Sequence, residues 1–345
     1  MNEDRLNYMN MGLMLVASAV ALVLPFEILL FMYAVLGPLH YLTEISWLKK
    51  KQFYSPGKND YIVLALLCVL CVLPNLYFLF TRLMNGGKLD ESVPTTAYFM
   101  KNSVVWGSFF IFIAFASAVI FILVKEQSKR LLAFLFVAVL ARIVQSNHFG
   151  LIILSIFLPT LIHVFVFTGL FILLGALKSK SRSGILSLVF FVACTIGIFL
   201  IPADGMNYHI STNTEKIYDN FMSTVNKNIF SFFLNVKEPT RQMIFESDTG
   251  IVIARFIAFA YTYHYFNWFS KTSVIKWHEV PKGRMVIILI LWVISVTLYY
   301  LNYMVGLMAL YFLAMLHVIL EFPLNFQSFR QIIQLLTAKK AAVNT

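Results

Sequence analysis

Ionisable side chains inside long apolar runs carry the most chemical information, because each is costly to bury in a bilayer. Four histidines meet that description. They are His40 in GPLHYLTEISWL, His163 in LPTLIHVFVFTGL, His264 in FAYTYHYFNWFS and His317 in LAMLHVILEFPLNF. Two are followed four residues on by a carboxylate, His40 by Glu44 and His317 by Glu321. On a helix, positions i and i+4 share a face. Each carboxylate could therefore ligate a metal, or hold the other ring nitrogen of a ligating histidine and fix its tautomer. Neutral imidazole in apolar surroundings is a good ligand for iron, zinc or copper. Four imidazoles with few carboxylates suit non-haem iron, as Fe(II), or zinc. The neighbours Tyr41, Tyr261, Tyr263, Tyr265, Phe266 and Trp268 would line a dry pocket. Glu44, Glu321, Tyr41 and Tyr265 are the candidate catalytic side chains.

A lone membrane histidine is often no more than a helix–helix hydrogen-bonding residue. The remaining histidines fit that or simpler roles: His148 at an outside helix start is expected to be interfacial, His278 in KWHEVPK is a loop residue able to close the site from below, and His209 has no role. His148 and His278 remain alternate ligands. Arg142 and Arg255 are expected to snorkel or pair at the outside interface. Pro38, Pro159 and Pro323 lie near site residues and could kink their helices. Cys68 and Cys71 form a CxxC without a second pair, and with Cys194 they read as ordinary helix packing.

The elements that must position these residues are membrane helices. The chain has 345 residues, 60% hydrophobic and 12% charged, with 34 phenylalanines. Soluble domains carry roughly a quarter charged residues, so lipid is the solvent such a surface demands. The net charge of +11 is no nucleic-acid signal, because the basic residues sit in short loops between apolar runs. Crossing a ~30 Å hydrocarbon core takes about 20 apolar residues. Ten segments qualify: 9–24, 27–47, 60–82, 98–124, 130–146, 149–177, 183–202, 250–270, 284–302 and 304–323. The first is short and ends at Pro25, so eight to ten spans fit. The N-terminus MNEDRLNYMN is acidic, unlike the start of a cleaved signal peptide, so the first run is expected to be retained. The fold class expected is an all-α polytopic bundle forming one transmembrane domain over 1–345.

Placing both termini inside puts 18 of the 27 basic residues in inside segments, as the positive-inside rule asks. The deep histidines then fall on segments two, six, eight and ten, which all run from outside to inside. His40 and His317 are residue 14 of their segments, and His163 and His264 residue 15. At about 1.5 Å per residue they share one depth, a coincidence that favours one joint site. The segment 203–249 is an outside loop. There Thr212-Asn213-Thr214-Glu215 fits a capping box, and Ile217, Phe221, Val225, Ile229 and Phe233 mark one amphipathic helix on the membrane surface or over the bundle. Residues 324–345 are expected to be a cytoplasmic tail with interfacial character.

GPLHYLTEIS resembles the first histidine motif of the Brp/Blh family of membrane β-carotene 15,15'-dioxygenases. LHVILEFPLNFQSFRQI is similar to that family's closing histidine segment and basic tail, and YTYHYFNWFS to its aromatic histidine stretch. The resemblance covers three short motifs in the right order. It implies a helix bundle around a non-haem iron, and O2-dependent cleavage of a central double bond in a carotenoid or another isoprenoid-like lipid. His40 then matches the first ligand and His317 the terminal histidine, with Glu44 and Glu321 in place of family aspartates. His264 falls nearest the third motif. His163 and His148, the latter in His148-Phe149-Gly150, both stand as the second ligand. His264 is followed by His278 fourteen residues on, where the family has two histidines four apart.

Three functions answer to these features. The first is a metal-dependent membrane oxygenase acting with O2 on a lipophilic substrate in a bacterial inner membrane. The second is a zinc-dependent intramembrane hydrolase, with Glu44 or Glu321 activating water. The third is a proton-coupled transporter using the His and Glu side chains; the absence of a visible internal repeat weighs against it.

Overall fold

The computed structural model of the chain describes residues 3–86, 88–203, 208–276 and 279–343. They are helical almost throughout, with no strand among them. In chain order the helices are α1 (Glu3–Val23), α2 (Pro25–Lys50), α3 (Asp60–Met84), α4 (Pro94–Leu123), α5 (Gln127–Gln145), α6 (His148–Ile152), a π-helical stretch (Ile153–Phe167), α7 (Thr168–Ser179), α8 (Arg182–Leu200), α9 (Thr212–Phe221), α10 (Ser223–Leu234), α11 (Arg241–Phe245), α12 (Asp248–Ser270), α13 (Thr272–Ile275), α14 (Lys282–Leu301) and α15 (Tyr303–Val343). Each of the ten apolar segments is a helix or a continuous helical rod. Eight are long and apolar enough to cross a membrane: α1, α2, α3, α4, the rod Phe149–Ser179, α8, α14 and α15. This is the make-up of an integral membrane protein. The other two segments are α5 and α12. α5 carries Lys129, Arg130 and Arg142, and α12 is rich in Tyr, Thr, Asn and His, so both fall short on composition.

The chain forms two compact units. The first holds residues up to His40, Leu161–Ile287 and the chain from Gln327 onward. Here α1 is a helix of 21 residues, long and apolar enough to cross a membrane. Its stripe Asn10, Met14, Ala17 and Ala21 is buried, the period that lets one face pack against α8 and α12. Polar clamps fix its start: Asn7 donates to Ser183 Oγ at 2.9 Å, and Ser270 donates to Asn10 Oδ1 at 2.9 Å. Helices α7 and α8 approach so closely that a Cβ on Gly184 would lie 2.8 Å from Ala176 Cβ. Small residues buy that kind of approach between membrane helices. α12 is buried on nearly every face. A helix surrounded by protein need not be greasy, which accounts for its polar composition.

The segment after α8 differs from the single amphipathic helix expected. It is two helices, α9 and α10, broken at Met222. The cap is Ser211, one residue earlier than the expected box, and its oxygen accepts from Thr214 N at 3.1 Å. Glu215 instead pairs with Arg241 at 2.5 Å. The buried groups are Tyr218, Val225, Asn226, Ile229 and Phe230. Tyr218 packs edge-on to Phe26 at 4.7 Å, and Phe221 lies 4.5 Å from Tyr33. The segment thus covers the start of α2. Of the two outcomes expected for Arg255, snorkelling or pairing, the structure shows pairing. It is 1% exposed and does not snorkel; its guanidinium donates to the carbonyls of Ile201 and Pro202 at 3.1 and 3.2 Å. Those carbonyls end α8, where unsatisfied acceptors and the helix dipole attract a cation.

The second unit holds Tyr41–Thr160 and Ile288–Phe326. Its core gathers Leu48, Leu64, Cys68, Val72, Ile111, Phe115, Ile319 and Leu320. α3 packs on α4 and α4 on α5. Asp60 organises the turn before α3, accepting from Ser55 Oγ at 2.5 Å and Gly57 N at 2.9 Å. Cys68 and Cys71 are buried free thiols among apolar neighbours, as packing residues should be. α15 does not stop at Pro323. It continues as helix to Val343, so the expected tail is helical over 324–343.

Candidate metal centre

Three helical segments of the first unit bring three imidazoles to one point. His40 comes from the middle of α2, two residues after Pro38; His163 from the π-helical stretch; His264 from α12. Their exposures are 1%, 2% and 8%. One nitrogen from each lies within 4.8 Å of one from both others, so the set could hold a metal ion. His40 Nε2 and His264 Nε2 are 3.0 Å apart. The rings of His163 and His264 meet edge-on, with centroids 5.0 Å apart. On its far side, His264 Nδ1 lies 3.0 Å from Thr168 Oγ1, and that hydroxyl donates to Val164 O at 2.8 Å. Thr168 is a site residue that the sequence did not single out.

Local winding decides where His163 points. Residues 153–167 adopt i→i+5 hydrogen bonding, with Pro159 inside. Proline lacks the N–H and its ring clashes with the carbonyl four residues back. The wider π winding relieves that clash, so Pro159 is accompanied by a change of pitch. π segments tend to occur at functional sites. Ser155 and Thr160 bind back onto the carbonyls of Leu151 and Ile156, occupying acceptors left by the altered ladder.

Aromatic rings surround the three histidines. Tyr265 and Trp268 lie 5.4 and 5.3 Å from the His40 ring. Tyr261 follows at 6.3 Å from Tyr265, Tyr33 at 6.1 Å from Tyr261, and Phe221 at 4.5 Å from Tyr33. These rings form a chain of aromatic contacts from His40 to the covering helix α9.

The remaining predicted residues fall in the second unit. Glu44 and His317 have ligand atoms within 4.8 Å of each other and are buried. Tyr41 stacks on His317 at 4.4 Å with an interplanar angle of 22°. Glu321, one turn after His317, accepts from Asn325 Nδ2 at 3.2 Å. Asn325 was missed because asparagine near a helix end is unremarkable in sequence. Of the alternates, His148 opens α6 but its side chain lies outside the described residues, and His278 lies outside them altogether. His209 is exposed in the loop. No family model matches the chain, and neither a curated protein nor a solved structure matches it significantly.

Proposed function

We propose that this chain is an integral membrane metalloenzyme, a non-haem iron oxygenase acting with O2 on a lipophilic, isoprenoid-like substrate. The observation that carries this is the gathering of His40, His163 and His264, three buried imidazoles from three separate segments, within 4.8 Å. Neutral imidazole needs no counter-charge to be buried, and three of them leave open positions on an ion. Iron rather than zinc is favoured by the resemblance to the Brp/Blh motifs, which implies a non-haem iron.

A ferrous ion held there would supply the O2 chemistry. The chain's own residues do the rest. His40, His163 and His264 hold the ion. Tyr265 and Trp268, which flank the His40 ring, pack against an apolar substrate and exclude water. The resemblance to the Brp/Blh motifs supports a carotenoid-like substrate, and it makes His317 a further ligand candidate with Glu44 beside it. Tyr41, stacked on His317, and Glu321, one turn after it, are further candidate proton-holding groups.

We also propose that all ten apolar helices cross the membrane, with both termini in the cytoplasm and the membrane being a bacterial inner membrane. α5 supports this, since Leu131, Leu132, Leu135, Phe136, Val139 and Ile143 are exposed along it, a face suited to lipid.

Detergent-purified protein analysed for metal by mass spectrometry tests the reading. About one iron per chain is expected, lost in His163→Ala and His264→Ala variants that keep their helical circular dichroism. Zinc without iron would favour the hydrolase. No stoichiometric metal at all would sink both. His317→Ala tells whether the fourth histidine contributes.

A further inference from the structure

We propose that Thr168 is a positioning residue for the metal centre, fixing His264 in the tautomer that presents its Nε2 lone pair to the ion. This rests on reading the histidine cluster as a metal site.

A count of protons carries the argument. A threonine hydroxyl has one proton to donate and two lone pairs to accept with. Val164 O, 2.8 Å from Thr168 Oγ1, is a carbonyl and can only accept. The single hydroxyl proton is therefore used there, in the i−4 back-bond common for threonine in helices. The second contact, His264 Nδ1 at 3.0 Å, must then be donated by the imidazole. A neutral histidine with a proton on Nδ1 has none on Nε2. His264 thus offers a bare Nε2, and that atom faces His40 Nε2 at 3.0 Å. In the absence of an ion the latter contact is closed by a proton on His40.

Burial makes the assignment firm. Thr168 is 2% exposed and Val164 3%, so no water competes for the hydroxyl. The location explains the geometry. Thr168 is the first residue of α7, where the π winding ends. Its hydroxyl therefore points back over the last π turn, one residue past the carbonyl of His163. The same change of pitch that delivers His163 also delivers the acceptor for His264. Metal-bound histidines generally donate their other N–H to such an oxygen, and losing that partner lowers metal affinity by about 10–100-fold.

Thr168→Val keeps shape and removes both hydrogen-bonding roles; Thr168→Ser keeps them. Two measurements separate the proposal from the reading it rests on. The first is the 15N spectrum of histidine-labelled, metal-free protein, with His264 identified by its loss in His264→Ala. The wild type and Thr168→Ser should show a protonated Nδ1 and a bare Nε2 for His264, and Thr168→Val should lose that pattern. The second is titration with Co(II), followed by its visible absorption. Thr168→Val should bind about 10–100-fold more weakly, with Thr168→Ser near wild type. An unchanged His264 tautomer in Thr168→Val overturns the proposal, as does unchanged Co(II) affinity. If the wild type binds no Co(II), the metal reading fails, while the nitrogen spectrum still decides the role of Thr168.

Discussion

At the scale of single residues, the cost of burying a polar group has two solutions, and sequence distinguishes them unevenly. Histidine can be buried neutral, so His40, His163 and His264 stood out and meet in space. Arginine keeps its charge, so Arg255 was expected to snorkel or pair at the interface. It pairs, with the carbonyls of Ile201 and Pro202. Those acceptors lie more than fifty residues away in a loop, and no local pattern in α12 announces them. Thr168 was hidden for a similar reason, since a helical threonine has an ordinary role ready to hand. Arg255 yields a prediction. Hydrogen bonds from a charged donor contribute roughly 1.5–3 kcal/mol, and two orphaned carbonyls at a helix end add to the loss. Arg255→Ala should lower the unfolding free energy by about 3 kcal/mol, read from denaturation in detergent. Metal content per folded chain should stay at the wild-type level, because nine helical residues put His264 about 14 Å away along the axis. Equal stability of the variant would mean that the end of α8 is held by other contacts.

At the scale of elements, apolar length was the most legible property. All ten segments are helical, and apart from the last, whose helix runs on to Val343, their ends lie within about six residues of those expected, because lipid demands about 20 apolar residues per span whatever the packing. Winding and capping were less legible. The π stretch depends on Pro159 together with the packing that holds both its flanks. The cap at Ser211 and the break at Met222 accompany the burial of Tyr218 and Phe230 within the first unit, which a four-residue periodicity cannot encode. The covering segment is pinned by Tyr208, whose hydroxyl donates to Glu27 Oε2 at 2.5 Å. Burial, then the neighbouring Glu27 carboxylate, raises the Tyr208 pKa above its ordinary value. A group raised in the fold stabilises it fully below its unfolded pKa, near 10 for tyrosine, and loses that contribution as pH climbs through the raised value. Tyr208→Phe should therefore cost roughly 1 kcal/mol at neutral pH. The gap between wild type and variant should hold to about pH 9 and narrow only above about pH 10. Thermal melts across that range check it. A gap that closed between pH 5 and 8 would place the titration on another group.

At the scale of the whole molecule, the open quantity is how many helices cross, and the chain itself makes that decidable. Eight crossings and ten crossings are both even, so both leave the termini on one side and the termini alone cannot discriminate. The segment between α8 and α12 can. If α5 and α12 both cross, residues 203–249 lie opposite the N-terminus. If neither crosses, the same segment lies on the N-terminal side. Composition counts against α5 and α12 as spans, but charge placement argues for them. Without α5 crossing, Lys178, Lys180 and Arg182 would fall on the outside, against the positive-inside rule; with it, every short inside loop carries its basic residues. Single cysteines test this in a background with Cys68, Cys71 and Cys194 replaced by serine or alanine. Glu3→Cys and Asn213→Cys both sit at exposed positions. In sealed, right-side-out vesicles, ten crossings predict that an impermeant maleimide labels Asn213→Cys at once and Glu3→Cys only after the membrane is opened. Labelling of both only after opening would remove α5 and α12 from the spanning set and put the covering helices α9 and α10 in the cytoplasm.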